Sequence, residues 1–113
     1  MNGCQVYARE TMLMAKYPGK VKIILQAIRI GDLGIVANPC ETFVEIGLEI
    51  RKKSPLEHTF TIELANGYNG YLPTPEHHAL GGYETWLGTN KVEVQASEKI
   101  VSTILEMFEK LRP

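Results

Sequence analysis

The sequence predicts an α/β fold: a small mixed sheet of about three strands, with helices before, between and after them. Three observations predict it. Residues 20–37 are dense in aliphatic and β-branched side chains and are interrupted by the turn pair Gly31-Asp32. Residues 94–111 carry apolar side chains at helical spacing. Between two strand-like runs, residues 41–53 read as a helix, which is the pattern of a βαβ unit.

Taken in order, Val6, Tyr7, Leu13, Met14 and Tyr17 fall near helical spacing, so a helix is expected from Gln5 to Tyr17, stopped by Pro18-Gly19. Lys20 to Ile30 reads as a strand. Val21, Ile23, Leu25 and Ala27 lie on one face and Ile24, Ile28 and Ile30 on the other, so both faces are expected to be covered. The turn at Gly31-Asp32 leads into a second, short buried strand from Leu33 to Ala37, and the closeness of the two runs predicts an antiparallel hairpin. Asn38-Pro39-Cys40 breaks that strand. Glu41 to Lys53 is expected to be helical, with Phe43, Ile46, Gly47 and Ile50 on one stripe. Its basic end, Arg51-Lys52-Lys53, suits the negative pole of the helix dipole, and Ser54-Pro55 closes it.

Thr59 to Leu64 alternates as a strand does. A long glycine-rich irregular stretch runs from Asn66 to about Asn90, with Thr74-Pro75 placed to start a short helix inside it. Val94 to Leu111 is the clearest amphipathic helix of the chain.

At 113 residues the chain is one α/β domain or the C-terminal part of one. Twelve basic against thirteen acidic residues leave a net charge of −1, which argues against a nucleic-acid partner, since displacing counterions from phosphates takes a basic surface. Apolar runs such as Ile23-Ile24-Leu25 fall far short of the roughly 20 residues of a membrane span. The first residues, Met1-Asn2-Gly3-Cys4-Gln5, have neither the basic nor the apolar part of a signal peptide. Cys4 and Cys40 have no metal-ligand spacing and are read as free thiols.

Two segments stand out for chemistry: residues 38–43, Asn-Pro-Cys-Glu-Thr-Phe, and residues 66–74, Asn-Gly-Tyr-Asn-Gly-Tyr-Leu-Pro-Thr. The first sets a carboxylate just beyond a strand end, where open α/β sheets bind ligands. The second combines glycines, which let backbone pass close to a ligand, with tyrosine hydroxyls. A helix-capping Glu41 beside two packing tyrosines accounts for the same residues. His77-His78 is a poor metal pair, because adjacent side chains on a helix diverge by about 100°. His58 and Cys40 form a nucleophile pair only if a third group orients them.

The run from Gln26 to about Leu87 resembles the neutral/alkaline non-lysosomal ceramidase family, in particular its bacterial ceramidase-like members. The residues that carry the resemblance are the segment from Leu25 to Leu33, then Pro39-Cys40-Glu41, Asn66-Gly67-Tyr68-Asn69-Gly70-Tyr71, Pro73-Thr74-Pro75-Glu76 and Gly81-Gly82-Tyr83-Glu84-Thr85, in that order. The resemblance implies part of a larger α/β hydrolase domain that cleaves a lipid or small-molecule amide with zinc. It implies that Glu41 and Tyr71 are zinc ligands and that Tyr83 stabilises the substrate's carbonyl oxygen. Such a parent is often secreted or membrane-associated. The family's two histidine ligands lie upstream of the matched region, so the resemblance also implies that this chain is inactive alone and holds zinc loosely. A sheet this small has exposed edges, so a fragment of a larger domain is expected to self-associate or to be marginally stable. The competing expectation is a small non-catalytic α/β module for binding or assembly. Cys40 stands where the family usually has glycine.

Overall fold

The computed structural model describes all 113 residues. Helix α1 (Gly3–Met14) is followed by β1 (Gln26–Ile30), β2 (Leu33–Ala37), β3 (Glu41–Thr42), α2 (Val44–Lys53), β4 (His58–Ile62), β5 (Tyr71–Leu72), α3 (Pro75–Leu80), a single 3-10 turn at Tyr83–Thr85, and α4 (Ala96–Lys110). The main sheet has the order β1-β2-β4, while β3 and β5 pair separately. The fold is thus mixed α/β, as the sequence predicts.

The hairpin forms where expected. β1 and β2 run antiparallel with Ile30 opposite Leu33, and Gly31 takes φ +61° in the two-residue loop. The chain then crosses through α2 and returns as β4, parallel to β2, with Leu33 opposite His58 and Ala37 opposite Ile62. This is the βαβ unit.

Helices α2 and α4 pack on one face of the main sheet. Ile46 and Ile50 of α2 and Ile100, Val101, Ile104 and Phe108 of α4 are buried with Val36, Leu56 and Leu72 in a single core. The register puts Ala27, Val36 and Thr61 in one row of this face and Arg29, Gly34 and Thr59 in the next. Gly34 matters for its lack of a side chain. A Cβ there would sit 2.9 Å from Leu56 Cδ1 and 3.0 Å from Phe108 Cζ, so the glycine lets Phe108 close onto the strand.

Four sequence expectations need correction. The strand from Lys20 is only β1: residues 20–25 have no partner, because β2 offers five residues and the tight turn sets the register. The first helix ends at Met14, ahead of Tyr17, and its start is fixed by a capping box between Asn2 and Gln5. Glu41 is not helical; it opens β3, and the helix begins at Val44. The cause lies outside the segment, since Glu41 N donates to Gly70 O and Phe43 N to Leu72 O. Finally, only one face of β1 is covered, and its exposure alternates residue by residue.

The uncovered face is continuous. Ile28, Ile35 and Phe60 form one cross-strand row, Ile30, Leu33 and His58 a second, and Gln26, Ala37 and Ile62 a third. Ile30 is 62% exposed and Phe60 46%. Helix α1 also contributes no buried residue. With α1 outside the core, the radius of gyration is 15.7 Å, against about 13 Å for a compact domain of this length.

Candidate functional site

The site residues are positioned by three segments that meet beyond the carboxyl ends of β2 and β4. Asn38, fully buried, shapes the first. Its side-chain oxygen accepts from Cys40 N at 3.0 Å and from Thr42 Oγ1 at 2.8 Å, bracketing Glu41 between two fixed neighbours. Thr42 N in turn donates to Glu63 Oε2 at 2.8 Å. The second segment is tied to the first where Asn69 N donates to Pro39 O at 2.8 Å.

β3 and β5 are parallel, and Glu41 stands directly opposite Tyr71. Residues opposite one another in a ladder project to the same side, so carboxylate and phenol are neighbours. Desolvation first, and then the Glu41 carboxylate, hold the Tyr71 hydroxyl above the usual phenol range; Tyr83 and Glu84 add to the effect. Tyr71 therefore keeps its proton at neutral pH.

Tyr83 comes from the third segment. Its ring packs edge-on to Tyr71, with centroids 5.9 Å apart, and edge-on to Trp86, also at 5.9 Å. Trp86 continues the series to Tyr7 of α1 at 5.0 Å. The structure thus brings Glu41, Tyr71 and Tyr83 together. Two asparagines frame them: Asn38, which the sequence marks only as a strand breaker within the 38–43 segment, and Asn90, to which it assigns no role. Each follows a strand or turn and precedes a tight bend, which is the local setting in which asparagine side chains bond to backbone.

The other candidates lie apart. His58 begins β4 and Cys40 follows the far end of β2, so the register of β2 and β4 sets them at opposite ends of the sheet. Burial pushes the Cys40 thiol up to about 11, leaving it a core side chain rather than a nucleophile. His77 does not share a ligand with His78. Its Nδ1 lies 2.6 Å from Thr74 Oγ1, the cap of α3, and its Nε2 lies 3.7 Å from Glu45 Oε1. His78 Nε2 is buried without a partner.

For a metal, Glu41 and Tyr71 supply two oxygen donors of the right hardness. No three of the chain's histidine, cysteine, aspartate and glutamate side chains cluster to hold an ion. Catalytic zinc takes three protein ligands and an open position, so these residues fit part of such a site. No helix is long and apolar enough to cross a membrane.

Neither protein-family models nor curated protein sequences match this chain. Among solved structures, a ceramidase complexed with C2 matches with a TM-score of 0.70 and 26% sequence identity. The match covers 78% of this chain and 14% of the ceramidase. Across most of its length, this chain is ceramidase-like and corresponds to a small part of a ceramidase chain.

Proposed function

We propose that this chain forms part of a zinc-dependent amide hydrolase of the neutral ceramidase type, acting on a lipid or small-molecule N-acyl amide. Glu41 and Tyr71 are its metal ligands, and Tyr83 donates to the carbonyl oxygen of the amide. The observation that carries this reading is the pairing of β3 with β5. It sets a carboxylate opposite a phenol, with a second phenol packed against the first.

Bound zinc supplies Lewis acidity at the amide carbonyl. Tyr83 offers a hydroxyl donor where negative charge develops on that oxygen. Glu41 brings the anionic charge that a divalent cation needs. Tyr71, which holds its proton at neutral pH, must release it to bind metal, so affinity should rise with pH. Two oxygen ligands leave the centre incomplete, which is why the chain alone is expected to hold zinc weakly and to turn over no amide.

Calorimetric titration with zinc chloride tests the assignment. Weak binding is expected in the native sequence, weakened a further 10-fold or so, about 1.4 kcal/mol, in both Glu41→Ala and Tyr71→Phe. Binding that ignores both substitutions would count against the ligand roles and favour a non-catalytic binding or assembly module. Amide turnover that persists after chelation would exclude the zinc reading outright.

The open sheet face supports a second part of the proposal, that the isolated chain self-associates. Exposed apolar patches of this continuity mark contact surfaces, and Gln26 and His58 are the only polar side chains in its three rows. Sedimentation velocity should show concentration-dependent association that Phe60→Glu reduces. A native chain that remains monomeric at high concentration would rule this out.

A further inference from the structure

We propose that Asn90 is a positioning residue that sets the placement of Tyr83 against Tyr71, which deepens the functional reading above and rests on it. Asn90 is 6% exposed, lies outside every helix and strand, and makes three side-chain hydrogen bonds, all to backbone. Its Nδ2 donates to Tyr71 O at 3.4 Å on β5 and to Glu84 O at 3.0 Å in the turn that bears Tyr83. Its Oδ1 accepts from Val92 N at 3.2 Å. One amide group therefore bridges the two segments that carry the two phenols.

The surrounding bonds make this bridge directional. Asn90 N donates to Trp86 O at 2.8 Å, and Tyr71 N donates to Thr89 O at 3.0 Å. Thr89 Oγ1 donates to Tyr83 O at 2.5 Å and to Trp86 O at 2.9 Å. The loop is thereby closed on itself, but the Thr89 hydroxyl acts within residues 83–89. Only the Tyr71–Thr89 backbone bond and the Asn90 amide cross from the loop to β5. The backbone bond fixes height along the strand. The amide reaches past it to Glu84, next to Tyr83, and so sets the angle at which the turn lies over Tyr71. Buried amides of this kind cost free energy unless every polar atom is satisfied, and here each is.

An aspartate at this position keeps the acceptor for Val92 N, loses both donated bonds and differs little in volume. Trp86 is the only tryptophan and packs on Tyr83, so its near-UV circular dichroism reports the turn without a ligand. In Asn90→Asp at neutral pH the Trp86 band is expected to fall by half or more. It should return as pH drops through the carboxylate range, because a protonated carboxyl regains one donor. The native chain, measured at each pH, serves as reference, and Asn66→Ala as a loop-asparagine control. An unchanged Trp86 band in a folded Asn90→Asp, or a band lost equally at all pH values, overturns the proposal. If Asn90→Asp does not fold, Asn90→Ser is read instead, with loss of the band supporting and retention overturning. Failure of both to fold also overturns it, since Asn90 would then be a general determinant of the fold. The zinc titration is independent of this signal. A lost band with zinc binding indifferent to Glu41 and Tyr71 leaves the positioning role standing and removes the catalytic reading.

Discussion

Phe108→Ala is expected to lower the unfolding free energy by about 3–5 kcal/mol, the range for an aromatic removed from a well-packed core. Phe108 is fully buried on the inner face of α4. Its ring edge fills the space that Gly34 leaves open on β2, with Cζ 3.0 Å and Cε1 3.1 Å from where a Cβ would be. Leu56 Cδ1 borders the same notch at 2.9 Å, and the glycine cannot grow to meet a shortened partner. The cavity therefore persists, and the loss includes both transfer and cavity terms. A domain of this size is held by about 5–15 kcal/mol in all, so the variant should unfold at markedly lower urea. Urea titration followed by far-UV circular dichroism measures it, with Phe108→Leu expected to recover much of the loss. A change below about 1 kcal/mol would mean that α4 is not anchored on β2.

Gly70→Ala should produce the second large effect, and here stability and site fail together. Gly70 has φ +76°, a region that costs an L-residue about 1–2 kcal/mol. A Cβ there would also lie 2.6 Å from Thr89 O, a backbone atom that cannot swing aside. Relief requires the 83–90 loop to move off β5, which breaks the Tyr71 N to Thr89 O bond and separates Tyr83 from Tyr71. Strain and lost packing together should cost ~3 kcal/mol. Thermal unfolding gives the magnitude, and the near-UV signal of Trp86 shows whether the loop has shifted. Gly19→Ala is the matched control, since a Cβ there meets nothing within 4 Å and its backbone is not left-handed. Equal effects in the two variants would show that the close approach at Gly70 is unimportant.

Elements built from neighbouring residues were readable from the chain. The Gly31-Asp32 turn, the aliphatic runs beside it and the 3.6-residue spacing of Ile100, Ile104 and Phe108 act over a few positions, and the hairpin and α4 follow from them. Thr74-Pro75 likewise starts α3, with Thr74 Oγ1 accepting from His77 N. Length and coverage are where local pattern and structure differ. Lys20 to Leu25 has the composition of a strand, yet a strand exists only where another lies beside it. Ile28 and Ile30 look like core side chains, yet burial depends on whether a second layer arrives over that face.

The candidate site divides along the same line. The resemblance singled out Glu41, Tyr71 and Tyr83, but local pattern read Glu41 as the first residue of a helix. The α/β class, the hairpin, the βαβ crossover and the amphipathic α4 are legible in the residues alone, because propensity, turn chemistry and periodicity operate within one or two turns of chain. The assembled fold is needed to see that Glu41 is a strand residue facing Tyr71, that Tyr83 folds back over that phenol, and that Asn38 and Asn90 hold the frame. Those outcomes rest on hydrogen bonds and ring contacts between residues distant in sequence, and such contacts form only once the core has brought their segments together.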